Sequence, residues 1–131
     1  MQKTFINPIS WEGNKVRIID QTKLPEKLSY LYIGDLKILW KAIKTLQVRG
    51  APALGAAASL GVYLGIKDSQ ARNFSTFTKE LDRVIRYLGS SRPTARNLFW
   101  GLERMASIAI KNKYRNISAI KKIIFAEAQW K

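Results

Sequence analysis

The sequence predicts an α+β fold, mostly helical, in which a small antiparallel β-ribbon precedes a bundle of about five helices. Three observations carry this. Two short β-branched and aromatic runs, Val16–Asp20 and Leu28–Ile33, flank a polar turn, QTKLPEK. After Gly34 the apolar spacing changes from strand-like to helical. Glycine, proline and serine clusters then punctuate the helical runs, at Gly50-Ala-Pro and at Gly89-Ser-Ser-Arg-Pro. The 131 residues suffice for a single domain, with the ribbon over 14–34 and the bundle over 35–131.

Each helix has its own signature. Leu36, Leu39, Trp40, Ile43 and Leu46 fall at helical spacing behind Asp35, an N-cap residue. The second helix begins near Pro52, whose missing N–H costs nothing at a first helical position. Its Ala53, Ala57, Gly61 and Gly65 form a stripe without bulk that lets other backbones come close, so this is the central helix. Ser75 is taken as the cap of the third helix, which has Phe77, Leu81, Val84, Ile85 and Leu88 on its apolar face and is closed by Gly89. Pro93-Thr94 opens a fourth, lined by Leu98, Leu102, Met105 and Ala109 and flanked by Phe99. A last helix, from about Asn116 or Ser118, turns Ile117, Ile120, Ile123 and Ile124 inward and leaves Lys121 and Lys122 in water. Its pattern runs to Lys131 with no stop signal, which reads as truncation.

Composition excludes several chemistries. With neither cysteine nor histidine, the chain carries no thiolate nucleophile and lacks the commonest general base and metal ligand. A complete hydrolase or metalloenzyme would be hard to build from what remains, and no metal site is expected. Net charge is +14, spread along the chain, which makes nucleic acid a candidate partner and an anionic substrate another, and which a lysine-rich, isoleucine-rich composition equally explains. The charge-free run Gly50–Ile66 is too rich in alanine and glycine to favour a membrane span, and Met1–Ile6 leads into no signal peptide. Trp11, Trp40, Trp100 and Trp130 read as core or interface anchors, and Glu103-Arg104 and Asp82-Arg83-Arg86 as solvated helix faces.

Two helix mouths stand out. Arg49-Gly50-Ala51-Pro52 puts a guanidinium and an unhindered backbone before a helix N-terminus, where free amides and the helix dipole favour an anion. Glycine lets a ligand approach the backbone, and arginine adds a planar fork matched to phosphate oxygens. Ser90-Ser-Arg92-Pro-Thr94 repeats the arrangement. Two such mouths converging would hold one phosphorylated ligand.

Taken together, IIDQTKLP, VRGAPALGAAASLG and SSRPTARNLFWGLERM resemble the amino-terminal part of the methylthioribose-1-phosphate isomerases, from about Val16 to Met105. That group shares a wider family with the regulatory subunits of translation initiation factor 2B and with ribose-1,5-bisphosphate isomerase. The resemblance implies a substrate-binding amino-terminal domain of a cytoplasmic aldose–ketose isomerase of methionine salvage, an amino-acid biosynthesis route. Its implied substrate is a phosphorylated pentose, its implied full-length state a homodimer without cofactor. It also implies that Arg49, Gly50, Ala51 and Arg92 contact substrate. The family's catalytic cysteine and aspartate belong to a carboxy-terminal Rossmann-like domain, absent from this chain, so the chain alone is expected to be inactive. Arg96 stands where such isomerases usually carry an apolar residue.

Two rival readings stand beside this one. The first is a fragment of an initiation factor 2B-like regulatory subunit, which has less reason to keep both arginine mouths. The second is a basic RNA-binding module, which steep salt dependence of RNA binding would reveal.

Overall fold

The computed structural model describes residues 7–129. Strands β1 (Ile9–Glu12), β2 (Lys15–Ile19) and β3 (Tyr30–Ile33) form one antiparallel sheet in the order β1-β2-β3. The ribbon therefore begins earlier than 14 and has a third strand. The missed strand has only four residues, but its turn is legible: Gly13 and Asn14 both have positive φ, +53° and +68°, which a two-residue hairpin of primed type demands. Alternation does the rest. Val16 and Ile18 of β2 are wholly buried, and Ile9 and Ile33 join them from the flanking strands.

Five helices follow: α1 (Leu36–Lys44), α2 (Ala51–Ile66), α3 (Phe74–Gly89), α4 (Arg96–Lys111) and α5 (Ile117–Gln129). Asp35 caps α1 as expected, its carboxylate accepting from the Lys37 amide at 2.7 Å. The cap of α3 is Asn73, not Ser75, because the Asn73 side chain reaches the Thr76 amide at 2.9 Å. α4 begins at Arg96, later than Pro93-Thr94, since a turn closed by the Ala95 amide on the Arg92 carbonyl intervenes.

Helix α2 packs against all four other helices and against β1 and β2. Its small residues make this possible. A Cβ on Gly61 would lie 2.9 Å from both Leu39 of α1 and Leu88 of α3. One on Gly65 would lie 2.6 Å from Val84 of α3 and 3.3 Å from Leu36 of α1. The same contacts fix direction. As numbering rises along α1 and α3 it falls along α2, so both helices run antiparallel to it. Their carboxy-terminal ends therefore point toward the end of the bundle where α2 starts.

Side chains read as solvated turn out to be tied across the bundle. Arg104 of α4 pairs with Glu127 of α5 at 2.6 Å, and the Lys121 ammonium donates to the Ser69 carbonyl at 2.7 Å. Trp11 packs edge-on to Tyr63 and Phe125, and Trp40 is stacked on Tyr87, whereas Trp100 is 62% exposed and anchors no core. Trp130 lies outside the described residues. Among those residues, no helix is long and apolar enough to cross a membrane.

Candidate functional site

The first mouth is shaped by the exit from α1. Leu46 turns the chain with φ +66°, Val48 is buried, and Gly50 takes φ +94° before α2 starts. Only glycine adopts that last conformation without strain, and a Cβ there would meet nothing, so backbone conformation and not crowding requires it. Gly50 has no side chain with which to cap α2, and Pro52 lacks an N–H. The amides of that first turn therefore have no side-chain acceptor, while Arg49 projects from the exposed loop just before them.

The second mouth follows α3. Ser90 and the buried Ser91 close the helix by donating to the Tyr87 and Leu88 carbonyls at 2.6 and 2.5 Å. Arg92 comes next and is half-buried; α4 then starts behind Ala95, again with no side-chain cap. Neither α2 nor α4 has an acidic residue in its first turn, and α4 opens on the exposed Arg96. Two positive helix ends and three guanidiniums thus follow helices that point to the same end of the bundle, and neither first turn holds a carboxylate to offset them. Among the described residues, Arg49 and Arg92 make no ion pair and no side-chain hydrogen bond.

Two ties hold the mouths in place, and neither was visible in the sequence. The Trp40 indole N–H of α1 donates to the Ser90 hydroxyl at 2.9 Å, linking α1 to the start of the Arg92 loop. Asp20, only 2% exposed, accepts from the Gln47 amide at 2.9 Å, across 27 positions of sequence. An Asp followed two residues later by Thr is a turn signal that marks the local half of this second tie; the Gln47 half has no local signature.

Burial pushes the Asp20 carboxyl up, but hydrogen bonds from the Thr22 hydroxyl, the Gln47 amide and the Thr22 backbone N–H outweigh it. With the nearby Lys23 charge, they hold it below its ordinary value of 3.8. A carboxyl depressed in the folded state stabilises fully above the unfolded value and loses that contribution as pH falls through the folded one. The stability advantage of the wild type over Asp20→Asn should therefore shrink between about pH 5 and about pH 2. Denaturant titrations across that range check this; a constant difference would mean that the charge of Asp20 contributes nothing.

An open groove of about 580 Å³ lies between the residues leading into β1, the first turns of α2 and parts of α4 and α5. Its walls include Trp11, Pro52, Ser59, Trp100 and Arg104.

Residues 47–130, which contain both arginine mouths, match the Initiation factor 2 subunit family. The chain belongs to that family. It is 46% identical over 123 residues to the 5-deoxyribose 1-phosphate isomerase of Moorella thermoacetica, covering 94% of this chain and 35% of that protein. It is also 46% identical over 120 residues to the methylthioribose-1-phosphate isomerase of Citrifermentans bemidjiense, covering 92% and 35%. Among solved structures, the 5-methylthioribose 1-phosphate isomerase of Pyrococcus horikoshii superposes with a TM-score of 0.86 at 32% identity, over 92% of this chain and 34% of that one. The delta subunit of translation initiation factor eIF-2B from A. fulgidus superposes at 0.83 with 37% identity, over 95% and 36%. The chain thus spans about a third of the length of the curated relatives it matches.

Proposed function

We propose that this chain is the substrate-gripping part of a methylthioribose-1-phosphate isomerase of methionine salvage, and that Arg49, Gly50, Ala51 and Arg92 hold the sugar phosphate. The observation that carries this is the pair of uncapped, carboxylate-free helix mouths, following helices that point to one end of the bundle, each with an arginine that has no ion-pair or side-chain hydrogen-bond partner among the described residues.

Arg49 would offer its fork to phosphate oxygens, the Ala51 amide would add a donor at the positive end of α2, and Arg92 would take phosphate or sugar oxygens. The names of the relatives narrow the ligand. Methylthioribose 1-phosphate and 5-deoxyribose 1-phosphate share a pentose 1-phosphate and differ at the fifth carbon, so the shared part is what cations of this kind recognise. Holding the anomeric phosphate would promote ring opening and place the first two carbons for the hydrogen shift that turns aldose into ketose. The groups that move the hydrogen would come from the carboxy-terminal part of the longer isomerases, and the whole enzyme would work as a cytoplasmic homodimer.

The same fold in an eIF-2B delta subunit favours a second reading, a regulatory subunit of translation initiation. Calorimetric titration of the 131-residue chain with methylthioribose 1-phosphate separates them. Saturable binding, tighter than that of inorganic phosphate, is expected, with no isomerisation. Absence of binding overturns the substrate reading, salt-sensitive RNA binding in its place points to a nucleic-acid module, and product formation by the chain alone overturns the division of labour.

A further inference from the structure

We infer that Asp20 is a positioning residue for Arg49, acting through Gln47, which Asp20 and its neighbour clamp two residues ahead of the arginine. The effect on ligand rests on the sugar-phosphate reading above; the clamp itself does not.

Gln47 is held at three points. Its backbone N–H donates to the Ala42 carbonyl at 3.0 Å, its carbonyl accepts from the Gln21 N–H at 3.0 Å, and its side-chain amide donates to Asp20 Oδ2 at 2.9 Å. Two of the three come from the segment Asp20-Gln21, which links the sheet to the helices. Asp20 is in turn immobilised. Its N–H donates to the Ser29 carbonyl at 2.8 Å, and its Oδ1 accepts from the Thr22 N–H at 3.0 Å and the Thr22 hydroxyl at 2.5 Å.

The loop needs such a hold. Between the end of α1 and the start of α2 the chain passes through Leu46 at φ +66°, a conformation that a leucine side chain disfavours, and Gly50 at φ +94°, which leaves glycine unusually free to move. A buried carboxylate is a poor choice for stability alone, because apolar side chains of similar volume would fill the site without its desolvation cost. What it adds is direction. Both oxygens are committed to donors on opposite sides, which fixes Gln47, and with it the departure angle of Val48 and Arg49, to one geometry.

The test uses the 131-residue chain with Gln47→Leu, Asp20→Ala and Asp20→Asn. The readouts are ¹⁵N relaxation of the backbone amides of residues 46–50 and the affinity for methylthioribose 1-phosphate. Gln47→Leu and Asp20→Ala should each loosen residues 46–50 while leaving the relaxation of α3 unchanged, and weaken binding about tenfold. The double variant should bind no more weakly than Asp20→Ala alone, since the Gln47–Asp20 bond is already lost in that variant. Asp20→Asn should be rescued to within about threefold of wild type, because a flipped Gln47 amide can accept where it had donated. Should Asp20→Ala fail to fold, Gln47→Leu carries the same comparison. Unchanged relaxation at residues 46–50 in Gln47→Leu overturns the inference. If wild type binds no sugar phosphate, the substrate reading falls and the relaxation data still decide on the clamp.

Discussion

Arg49→Ala should weaken binding of methylthioribose 1-phosphate about fiftyfold, with no measurable change in melting temperature. A charge-assisted, two-pronged hydrogen bond contributes about 2 to 3 kcal/mol, and each 1.4 kcal/mol is about tenfold in affinity. Stability should hold because the Arg49 side chain is exposed and makes no ion pair or side-chain hydrogen bond with the described residues. Arg49→Lys separates charge from geometry: it keeps the cation and loses the fork, so it should recover only part of the affinity. Arg92→Ala should behave like Arg49→Ala in binding. Calorimetry and a thermal melt on the same samples check both halves. Equal affinity for wild type and Arg49→Ala would remove Arg49 from the site.

Gly101→Val should be the most damaging single change to the fold, lowering stability by about 3 kcal/mol and the melting temperature by about 10 °C. The reason is the crossing of α4 over α2. A Cβ on Gly101 would lie 2.8 Å from the Ala58 Cβ and 2.9 Å from the Gly55 carbonyl oxygen. Neither is the end of a flexible side chain, so the helices themselves must separate. The separation would be felt at the α2 mouth, four residues before Gly55. Gly55→Ala, on the same helix, is the control: an added methyl there meets nothing within 4 Å. It should instead stabilise by about 1 kcal/mol through helix propensity alone. Denaturant unfolding of the two variants distinguishes them by sign. A neutral Gly101→Val would mean that α2 and α4 are less closely pressed than described.

Much of this molecule was legible one element at a time. Asp35 capping α1, the Gly50-Ala-Pro entry to α2 and the apolar face of α3 all depend on residues no more than four apart. Two of the misreadings were of the same local kind, where two signals competed. Asn73 and Ser75 are both good caps, and only the path of the chain into α3 selects the first. At four residues β1 is too short for its alternation to register, although the Gly13-Asn14 turn beside it marked a hairpin. Arg104 and Lys121 read as solvated because their partners, Glu127 and the Ser69 carbonyl, are 23 and 52 positions away.

The proposed site divides in the same way. Arg49 and Arg92 could be chosen from the sequence because glycine, proline and arginine at a helix entrance have a chemistry that needs no distant partner. That the helices leading to the two mouths point to one end of the bundle was not legible. It follows from Leu39 and Leu88 meeting at Gly61, and Leu36 and Val84 at Gly65, which sets α1 and α3 antiparallel to α2. By itself, then, the sequence determined the period of each segment, its entrances and its charge, all consequences of short-range sterics and hydrogen bonding. The tertiary structure alone decided which helix ends share a side and which buried groups, Asp20 with Gln47 and Trp40 with Ser90, hold them there. Those pairs form only when close packing brings remote segments within bonding distance, and no local rule encodes that distance.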